Sequence, residues 1–255
     1  MIALNRNSNA VSGEEKDIII GRNAVSEALK SGREIDTLYV ASGAKKGSVG
    51  VIIAMARDAG AVVKEVDSRK LDAMCGGANH QGVAARAAVH EYADVDDILN
   101  FAEEKGEKPF VIVCDEIEDP HNLGAIIRTA DACGAHGVII PKRRGVSLTY
   151  AVGKSAAGAL EYVPVARVSN LASCIDELKQ KGLWVYAADM DGEPWDKVDY
   201  SGGVALVIGS EGKGVSRLVK EKCDFIVSLP MRGKINSLNA SVAAGIIMYE
   251  VIKKR

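Results

Sequence analysis

The sequence predicts an α/β protein whose C-terminal part is built on an open, parallel β-sheet. Short apolar runs alternate along the chain with segments of helical periodicity. Several runs in the second half, such as 110–114 and 204–208, are apolar throughout, as expected of parallel strands that helices cover on both faces. Because the alternation occurs in two blocks separated by a charged segment, we expect two α/β domains.

The N-terminal half is predicted to be a flexible tail followed by a small α/β domain. Residues 1–16 are polar and lack hydrophobic periodicity, which is typical of a disordered segment. Residues 17–89 are long enough for a compact domain. Strands are predicted at 17–21, 37–41, 62–66 and 82–88, and helices at 23–29, 49–59 and 68–75.

A linker is predicted at residues 90–108, HEYADVDDILNFAEEKGEK. This segment is first acidic and then rich in lysine and glutamate, and it contains one amphipathic helical pattern. Such a change of composition is typical of a domain boundary. Residues 109–255 are therefore expected to form the second domain.

The second domain repeats the alternation on a larger scale. Repeated β–loop–α units favour an open sheet, and ligands bind such sheets at the carboxyl ends of the strands. The loops that follow strands are therefore the candidate functional segments. Strands are predicted at 110–114, 137–140, 163–166, 184–188, 204–208 and 225–228, and helices at 122–133, 150–159, 171–181, 215–221 and 237–253.

Composition argues against several classes of protein. The five cysteines form no CxxC pair and the four histidines have no metal-ligand spacing, so neither disulfides nor a metal site is expected. The chain starts without a signal-peptide pattern, and no apolar run approaches the ~20 residues that cross a bilayer. We therefore expect a cytoplasmic protein without a membrane partner. The net charge of −2 gives no global basic field, so RNA binding would need local patches such as Lys142, Arg143 and Arg144.

Two loops of the second domain carry polar groups that packing does not require. Asn122 follows the first strand of this domain near a helix start, and Arg128 lies six residues further on. The loop 209–216, GSEGKGVS, places Glu211 between glycines that allow close approach of the backbone. The residues alone leave two alternatives open. Arg128 could be a surface arginine on an amphipathic helix, and the segment 209–216 could be an ordinary tight loop.

The block 229–250, LPMRGKINSLNASVAAGIIMYE, brings three polar side chains to the expected start of the last helix. Asn236, Ser237 and Asn239 exceed the single N-cap that a helix needs. A helix start also presents unpaired backbone N–H groups, which suit a polar or anionic ligand. This surplus of polar groups marks the block as a candidate site.

Common cofactor motifs do not match. Gly209, Gly212 and Gly214 run G-x-x-G-x-G, the reverse of a dinucleotide fingerprint, and lie too late in the sheet for one. The run 153–155, GKS, resembles the end of a phosphate loop, but Leu148 stands where the first glycine belongs. A nicotinamide dehydrogenase and an NTPase are therefore disfavoured.

Taken in this order, the three loops resemble the SpoU family of RNA ribose 2′-O-methyltransferases, which belongs to the knotted SPOUT class. Residues 118–124, EDPHNLG, with Arg128 following, are similar to the first motif of that family, residues 208–214, IGSEGKG, to the second, and residues 229–250 to the third. The first half, with GRNAVSEALKSG from residue 21 and GGANHQGV from residue 76, resembles the RNA-binding domain of the RlmB/TrmH-type branch.

The resemblance implies a fold and an activity. The second domain would be a parallel-sheet methyltransferase domain with a deep trefoil knot, which the rarity of knots would otherwise argue against. A small, ribosomal-protein-like α/β RNA-binding domain would precede it. The implied reaction uses S-adenosylmethionine to methylate a guanosine of 23S rRNA, in a homodimer formed through the C-terminal domain. A tRNA ribose methyltransferase and a non-catalytic RNA-binding protein are the alternatives.

The resemblance also implies roles for particular residues. Because a guanidinium stays charged, we expect Arg128 to fix a phosphate and stabilise the developing alkoxide rather than to act as the base. The implied catalytic residues are Asn122, Arg128, Glu211, Ser237 and Asn239; the cofactor-binding residues are Ile208, Gly209, Glu211, Gly212, Leu229, Met231 and Leu238; the RNA-binding residues are Arg22, Asn23, Asn79, His80, Gln81, Lys142, Arg143 and Arg144.

Overall fold

The computed structural model describes residues 18–44, 47–87, 90–234 and 236–255. These residues divide into two compact units, with the boundary between Val89 and His90. The predicted tail 1–16 lies outside the described residues. So do Asp17 and Ala88, the outer ends of the first and last strands predicted for the N-terminal domain.

The first unit is a four-stranded sheet with helices on both faces, in the strand order β1-β4-β2-β3. Its elements are β1 (Ile18–Ile20), α1 (Arg22–Lys30), β2 (Ile35–Ala41), α2 (Ser48–Asp58), β3 (Val62–Val66), α3 (Ser68–Met74) and β4 (Val83–Ala87). Strand β2 is buried at every position, because it lies between its parallel neighbour β3 and its antiparallel neighbour β4. Helices α1 and α2 share one core with this sheet, and Leu71 of α3 belongs to a second.

The segment predicted as a linker belongs to the second unit instead. Its helix, α4 (Val95–Glu104), begins with a capping box formed by Asp94 and Asp97. Ile98 is fully buried in a core of that unit and fills the space beside Gly137, where a Cβ atom would lie 2.6 Å from it. The charged residues of α4 thus form the solvent face of a packed amphipathic helix.

The second unit is built on a six-stranded sheet in the order β10-β8-β9-β5-β6-β7. All of its neighbouring strands pair in parallel, which confirms the predicted parallel sheet. The strands are β5 (Phe110–Cys114), β6 (Gly137–Pro141), β7 (Val165–Val168), β8 (Leu183–Pro194), β9 (Gly203–Ile208) and β10 (Phe225–Ser228). The helices are α5 (Pro120–Ala132), α6 (Tyr150–Ala156), α7 (Leu171–Gln180), α8 (Arg217–Lys222) and α9 (Ala240–Lys254).

Helices cover both faces of this sheet, as the apolar strands require. The side chains of α5, α6 and α9 share one buried core with the sheet. Those of α4, α7 and α8 share the other. In the part of the chain that the structure describes, no helix is long and apolar enough to span a membrane.

Three element boundaries differ from the sequence prediction by three residues or more. Helix α6 ends at Ala156 because Ala157 (φ 51°) and Gly158 (φ 94°) are left-handed, and a short 3-10 turn, Ala159–Glu161, follows. Strand β8 continues to Pro194, six residues past its predicted end, because its distal part pairs with β10 after a shift in register. Helix α9 starts at Ala240 rather than at residue 237, because Asn239 is its N-cap.

Candidate functional site

The three loops chosen from the sequence meet at the carboxyl edge of the parallel sheet. They follow β5, β9 and β10, and β5 pairs directly with β9. The side-chain amide of Asn122 donates a hydrogen bond to Glu211 Oε1 at 2.9 Å. The amide of Asn239 donates to Asn122 Oδ1 at 2.9 Å and to Glu211 Oε1 at 2.5 Å. One closed network therefore joins all three loops.

Asn239 has a structural role and a place in this network at the same time. Its Oδ1 accepts hydrogen bonds from the backbone N–H groups of Ser241 at 3.0 Å and Val242 at 3.3 Å, which caps α9. Its Nδ2 is left to donate to Asn122 and Glu211. Because the cap fixes the orientation of the amide, the two donor directions are fixed as well.

The start of α5 holds Asn122 in place. Asp119 caps this helix by accepting from the N–H group of His121 at 2.9 Å, and Pro120 occupies its first turn. Asn122 is only 6% exposed, so its amide needs partners inside the protein. Beneath it, Asp115 is buried and accepts from the backbone N–H group of Ser216 at 2.7 Å, which ties the loop after β5 to the loop after β9.

A cavity of about 530 Å³ opens beside this network. This volume is in the range of small-molecule and cofactor sites. Its wall is formed by the ends of β8, β9 and β10 and the start of α9. Every residue that the resemblance assigned to cofactor binding lines this cavity: Ile208, Gly209, Glu211, Gly212, Leu229, Met231 and Leu238.

Glycines of the loop after β9 form part of the wall of this cavity. A Cβ atom on Gly209 would lie 2.0 Å from the carbonyl carbon of Gly214, so only glycine fits there. Gly212 and Gly214 have φ angles of +85° and +66°, which favour glycine. Ser210 and Gly214 exchange two backbone hydrogen bonds, of 3.1 and 2.9 Å, which close the loop into a tight hairpin.

Asp189 is one of two charged residues of this cavity, with Lys213, to which the sequence assigned no role. It lies on β8 directly after the apolar run 183–188, and its side chain is only 13% exposed. Its Oδ2 pairs with Lys220 of α8 at 2.9 Å, and its Oδ1 accepts from the N–H group of Met190 at 2.7 Å. The available signal was its position, the first acidic residue after a parallel strand.

A second cavity, of about 230 Å³, adjoins the first. The two cavities share Ser210, Glu211 and Lys213 in their walls. The second is otherwise lined by the loop after β5 and the start of α5, namely Glu116, Ile117, Glu118, Asp119 and Asn122. The hydrogen-bonded network thus stands between two spaces, one lined mainly by apolar groups and backbone and one lined mainly by carboxylates.

Two predicted catalytic residues lie outside the network. Ser237 is exposed and lines the larger cavity. Arg128 is exposed on α5, six residues beyond Asn122, and contributes to the wall of neither cavity. It forms no ion pair or hydrogen bond with the described residues, which leaves its guanidinium available to an anion.

In the first unit, the structure brings together residues predicted to bind RNA. The Nε atom of Arg22 donates to the backbone oxygen of Gln81 at 2.9 Å, and Gln81 has a left-handed backbone, with φ 51°. The side chain of Asn79 accepts from the N–H group of Gln81 at 3.3 Å, and His80 bonds to Asp72 at 2.9 Å. Asn23, the remaining predicted residue, is exposed at the start of α1.

The basic run predicted in the second unit lies in the loop after β6. Arg143 and Arg144 are exposed and Lys142 is half-buried. Arg144 pairs with Glu116 at 3.4 Å, so its charge is partly matched within the protein. Arg143 has no partner among the residues that the structure describes.

Within the described ranges, no group of three His, Cys, Asp or Glu side chains is arranged to hold a metal ion. Cys114 ends β5 close to the site, but burial raises the pKa of its thiol to about 12. A thiol with such a pKa is not a nucleophile near neutral pH.

Comparison with known proteins identifies both parts of the chain. Residues 109–249 match the model of the SpoU rRNA Methylase family, and residues 18–93 match the model described as RNA 2′-O ribose methyltransferase substrate binding. YacO of Bacillus subtilis (strain 168), named for the TrmH family of tRNA/rRNA methyltransferases, is 53% identical over 243 residues, which cover 95% of this chain and 97% of YacO.

Solved structures show the same fold. The AdoMet-bound rRNA methyltransferase from Sinorhizobium meliloti has a TM-score of 0.58 and 26% identity, over 94% of this chain and 88% of that one. The A. aeolicus TrmH/SpoU tRNA modifying enzyme has a TM-score of 0.53 and 31% identity, but it covers 58% of this chain and 75% of its own. Together with the matched motifs, these likenesses show that the chain belongs to the SpoU rRNA Methylase family.

Proposed function

We propose that this protein transfers a methyl group from S-adenosylmethionine to the ribose 2′-oxygen of RNA, and that its target is a guanosine of 23S rRNA. The observation that carries the proposal is the closed network of Asn122, Glu211 and Asn239. It joins the three family motifs at the wall between a cofactor-sized cavity and a second, polar cavity.

S-adenosylmethionine fits the chemistry of the larger cavity. This cofactor carries no phosphate, so it needs no lysine-rich phosphate-binding loop, and the start of α9 in the cavity wall need not hold an anion. Among the described residues, the only charged side chains in its wall are Asp189, Glu211 and Lys213. The rest is apolar side chain and backbone, and at Gly209 even a methyl group would collide. When bound, the cofactor supplies an electrophilic methyl group on a sulfonium.

The network is suited to position the ribose. Both amides donate to Oε1 of Glu211, so its Oε2 is left to accept a hydrogen bond from the sugar. Because Asn239 is locked by its capping bonds, Glu211 is held rather than free to rotate. Fixing the hydroxyl in line with the methyl group can account for about 7–11 kcal/mol of barrier reduction. Ser237, in the wall of the larger cavity, would be a further contact.

Arg128 would act on the RNA backbone. Its exposed guanidinium has no partner among the described residues and would hold a phosphate beside the reacting sugar, favouring the alkoxide as the hydroxyl proton departs. Arg128→Lys tests this role in single-turnover assays, because lysine keeps the charge but loses bidentate geometry. A variant with near-wild-type rates across pH would refute the clamp.

The share of this chain that aligns with each related structure supports rRNA over tRNA as the substrate. The rRNA methyltransferase from S. meliloti aligns over 94% of this chain, including the first unit. The tRNA-modifying enzyme of A. aeolicus covers only 58%, and so does a structure described by 2-OH methylation of C/U34 on tRNA. An additional RNA-binding unit fits a large folded target. YacO is named for both substrates, so tRNA is the second candidate.

The remaining details of the proposal concern fold and assembly. The second unit would contain the deep trefoil knot of the SPOUT class, and the first would be a ribosomal-protein-like RNA-binding domain whose contacts include Arg22, Asn23 and residues 79–81. A cytoplasmic homodimer would form through the last helix, because Val242, Ile246 and Tyr249 are 50%, 39% and 54% exposed along α9. The apolar surface of α9 is therefore larger than the one face with which a helix packs on the sheet of its own chain.

Methyl transfer to unmodified transcripts tests the function. Purified protein, labelled S-adenosylmethionine and separate 23S rRNA and tRNA transcripts should give label in 23S rRNA, at a ribose that blocks alkaline cleavage. Mass spectrometry of nuclease fragments would identify the nucleoside. Label on a base would contradict ribose specificity, and label only in tRNA would favour the second candidate. RNA binding without binding of S-adenosylmethionine in calorimetry would identify a non-catalytic RNA-binding protein.

A further inference from the structure

Lys213 has an unusual position between the two cavities. It belongs to the GSEGKG loop, contributes to the walls of both cavities and is exposed. It forms no ion pair or hydrogen bond with any residue in the described ranges. Several other lysines of the second unit are paired, for example Lys179, Lys181 and Lys220. A cation left free at the wall of a cavity is available to a ligand.

The backbone fixes where this cation can reach. Lys213 lies between two left-handed glycines, Gly212 and Gly214, at the tip of the hairpin closed by the Ser210–Gly214 hydrogen bonds. The Cα atom is therefore held, although the side chain can move. Because its Cα atom is held, the side chain of Lys213 can reach only a small region at the mouth of the second cavity.

The charges of the second cavity make a cation necessary for an RNA ligand. Among the described residues, Lys213 is the only basic residue in a wall that also contains Glu116, Glu118, Asp119 and Glu211. Carboxylates repel a nucleotide's phosphate but accept hydrogen bonds from its sugar hydroxyls and base amino groups. A nucleotide would therefore enter with its sugar and base inside and one of its two flanking phosphates at Lys213.

We propose that Lys213 binds one of the two phosphates that flank the target ribose, at the mouth of the second cavity, and so directs the ribose toward Glu211, while Arg128 holds the other. This inference rests on the proposed RNA methyltransferase activity. It gives a binding role to a residue that the motif comparison left without one. In this arrangement Lys213 is a substrate-positioning residue and takes no part in bond making.

The test compares Lys213→Met and Lys213→Arg with a control, Lys197→Met. Lys197 is 73% exposed, makes one contact of 3.7 Å with Asp196 and lines neither cavity, so its variant removes the same charge elsewhere. The probe is in-vitro-transcribed, unmethylated 23S rRNA. Its dissociation constant would be measured at several salt concentrations with S-adenosylhomocysteine present, and steady-state methylation would be followed in parallel.

Lys213→Met should weaken RNA binding and raise the KM for RNA about fivefold to tenfold, with little change in kcat. The slope of log K against log salt should fall by about 0.7–0.9, as expected for one lost phosphate contact. Lys213→Arg should restore most of the affinity. Lys197→Met and the affinity of every variant for S-adenosylmethionine in calorimetry should match wild type.

Three results would overturn the inference. An unchanged KM and salt slope in Lys213→Met, with active wild type, would show that Lys213 does not contact RNA. Weaker binding of S-adenosylmethionine with unchanged RNA binding would assign Lys213 to the carboxylate of the cofactor instead. An equal loss in Lys197→Met would indicate a general charge effect. If the wild type itself methylates no ribose, the proposed function fails first, and that outcome is seen before any variant is compared.

Discussion

The substitution Gly209→Ala tests whether the loop after β9 builds the cofactor cavity. A methyl group at this position would lie 2.0 Å from the carbonyl carbon of Gly214, 2.2 Å from the nitrogen of Val215 and 2.3 Å from the oxygen of Gly214. All three are backbone atoms, so no side-chain rotation relieves the collision. The loop must move by about 1.5 Å to reach ordinary contact distances of ~3.5 Å.

The cost follows from what such a movement breaks. The two hydrogen bonds between Ser210 and Gly214 contribute about 1 kcal/mol each, and overpacking adds about 1–3 kcal/mol. Gly209→Ala should therefore lower the free energy of unfolding by about 3–5 kcal/mol. Gly212→Ala is the matched control, because its Cβ would meet nothing within 4 Å and only the positive φ costs about 1–2 kcal/mol.

Equilibrium urea denaturation of both variants measures this difference, since the entropic effect of replacing glycine in the unfolded chain is the same for each. Calorimetric titration with S-adenosylmethionine should show loss or strong weakening of binding in Gly209→Ala relative to wild type. If Gly209→Ala is within about 0.5 kcal/mol of the control and binds the cofactor like wild type, the close backbone approach does not shape the cavity.

Three further predictions follow from individual contacts. Asn239→Asp keeps the oxygen that caps α9 but replaces the donor to Asn122 and Glu211 with a carboxylate oxygen that repels Glu211, so methylation should fall at least tenfold. Because the cap is kept, the melting temperature should fall less than in Asn239→Ala; equal melting temperatures with retained methylation in Asn239→Asp would contradict the role of the donor. Asp189→Asn removes the one carboxylate of the larger cavity that lies outside the network, and calorimetry should show weaker binding of S-adenosylmethionine. Burial lowers the pKa of His136 below its ordinary value of about 6.5, although Glu107 opposes this effect. Protonation of His136 is therefore less favourable in the folded than in the unfolded protein. The unfolding free energy of wild type should decline more steeply than that of His136→Gln as the pH falls from 6.5 to 5.

Hydrophobic patterning predicted most of the fold of the second unit, because buried parallel strands leave continuous apolar runs. Strands β5 and β10 begin and end at the predicted residues. Patterning failed where long-range contacts decide the structure. The distal part of β8 is polar and is a strand only because β10 lies beside it, and Gly192 lets the two backbones approach.

The candidate site was predicted through family motifs rather than through chemistry visible in single residues. The motifs identified Asn122, Glu211 and Asn239, which the structure brings together. They assigned no role to Asp189 or Lys213, because those positions matter only once the sheet has placed them at a cavity. The charge pattern of the second cavity is likewise a product of folding, since its carboxylates come from loops almost a hundred residues apart.

The polar surplus at the start of the last helix has a physical explanation in Asn239. An aspartate could cap α9 equally well but has no donor for a second partner, and a serine or threonine hydroxyl has only one donor, whereas Asn239 donates to two acceptors. Its amide couples the start of α9 to Asn122 and Glu211. The position of the helix and the position of the candidate catalytic carboxylate are therefore set by one side chain, so a substitution that preserves the cap can still release Glu211.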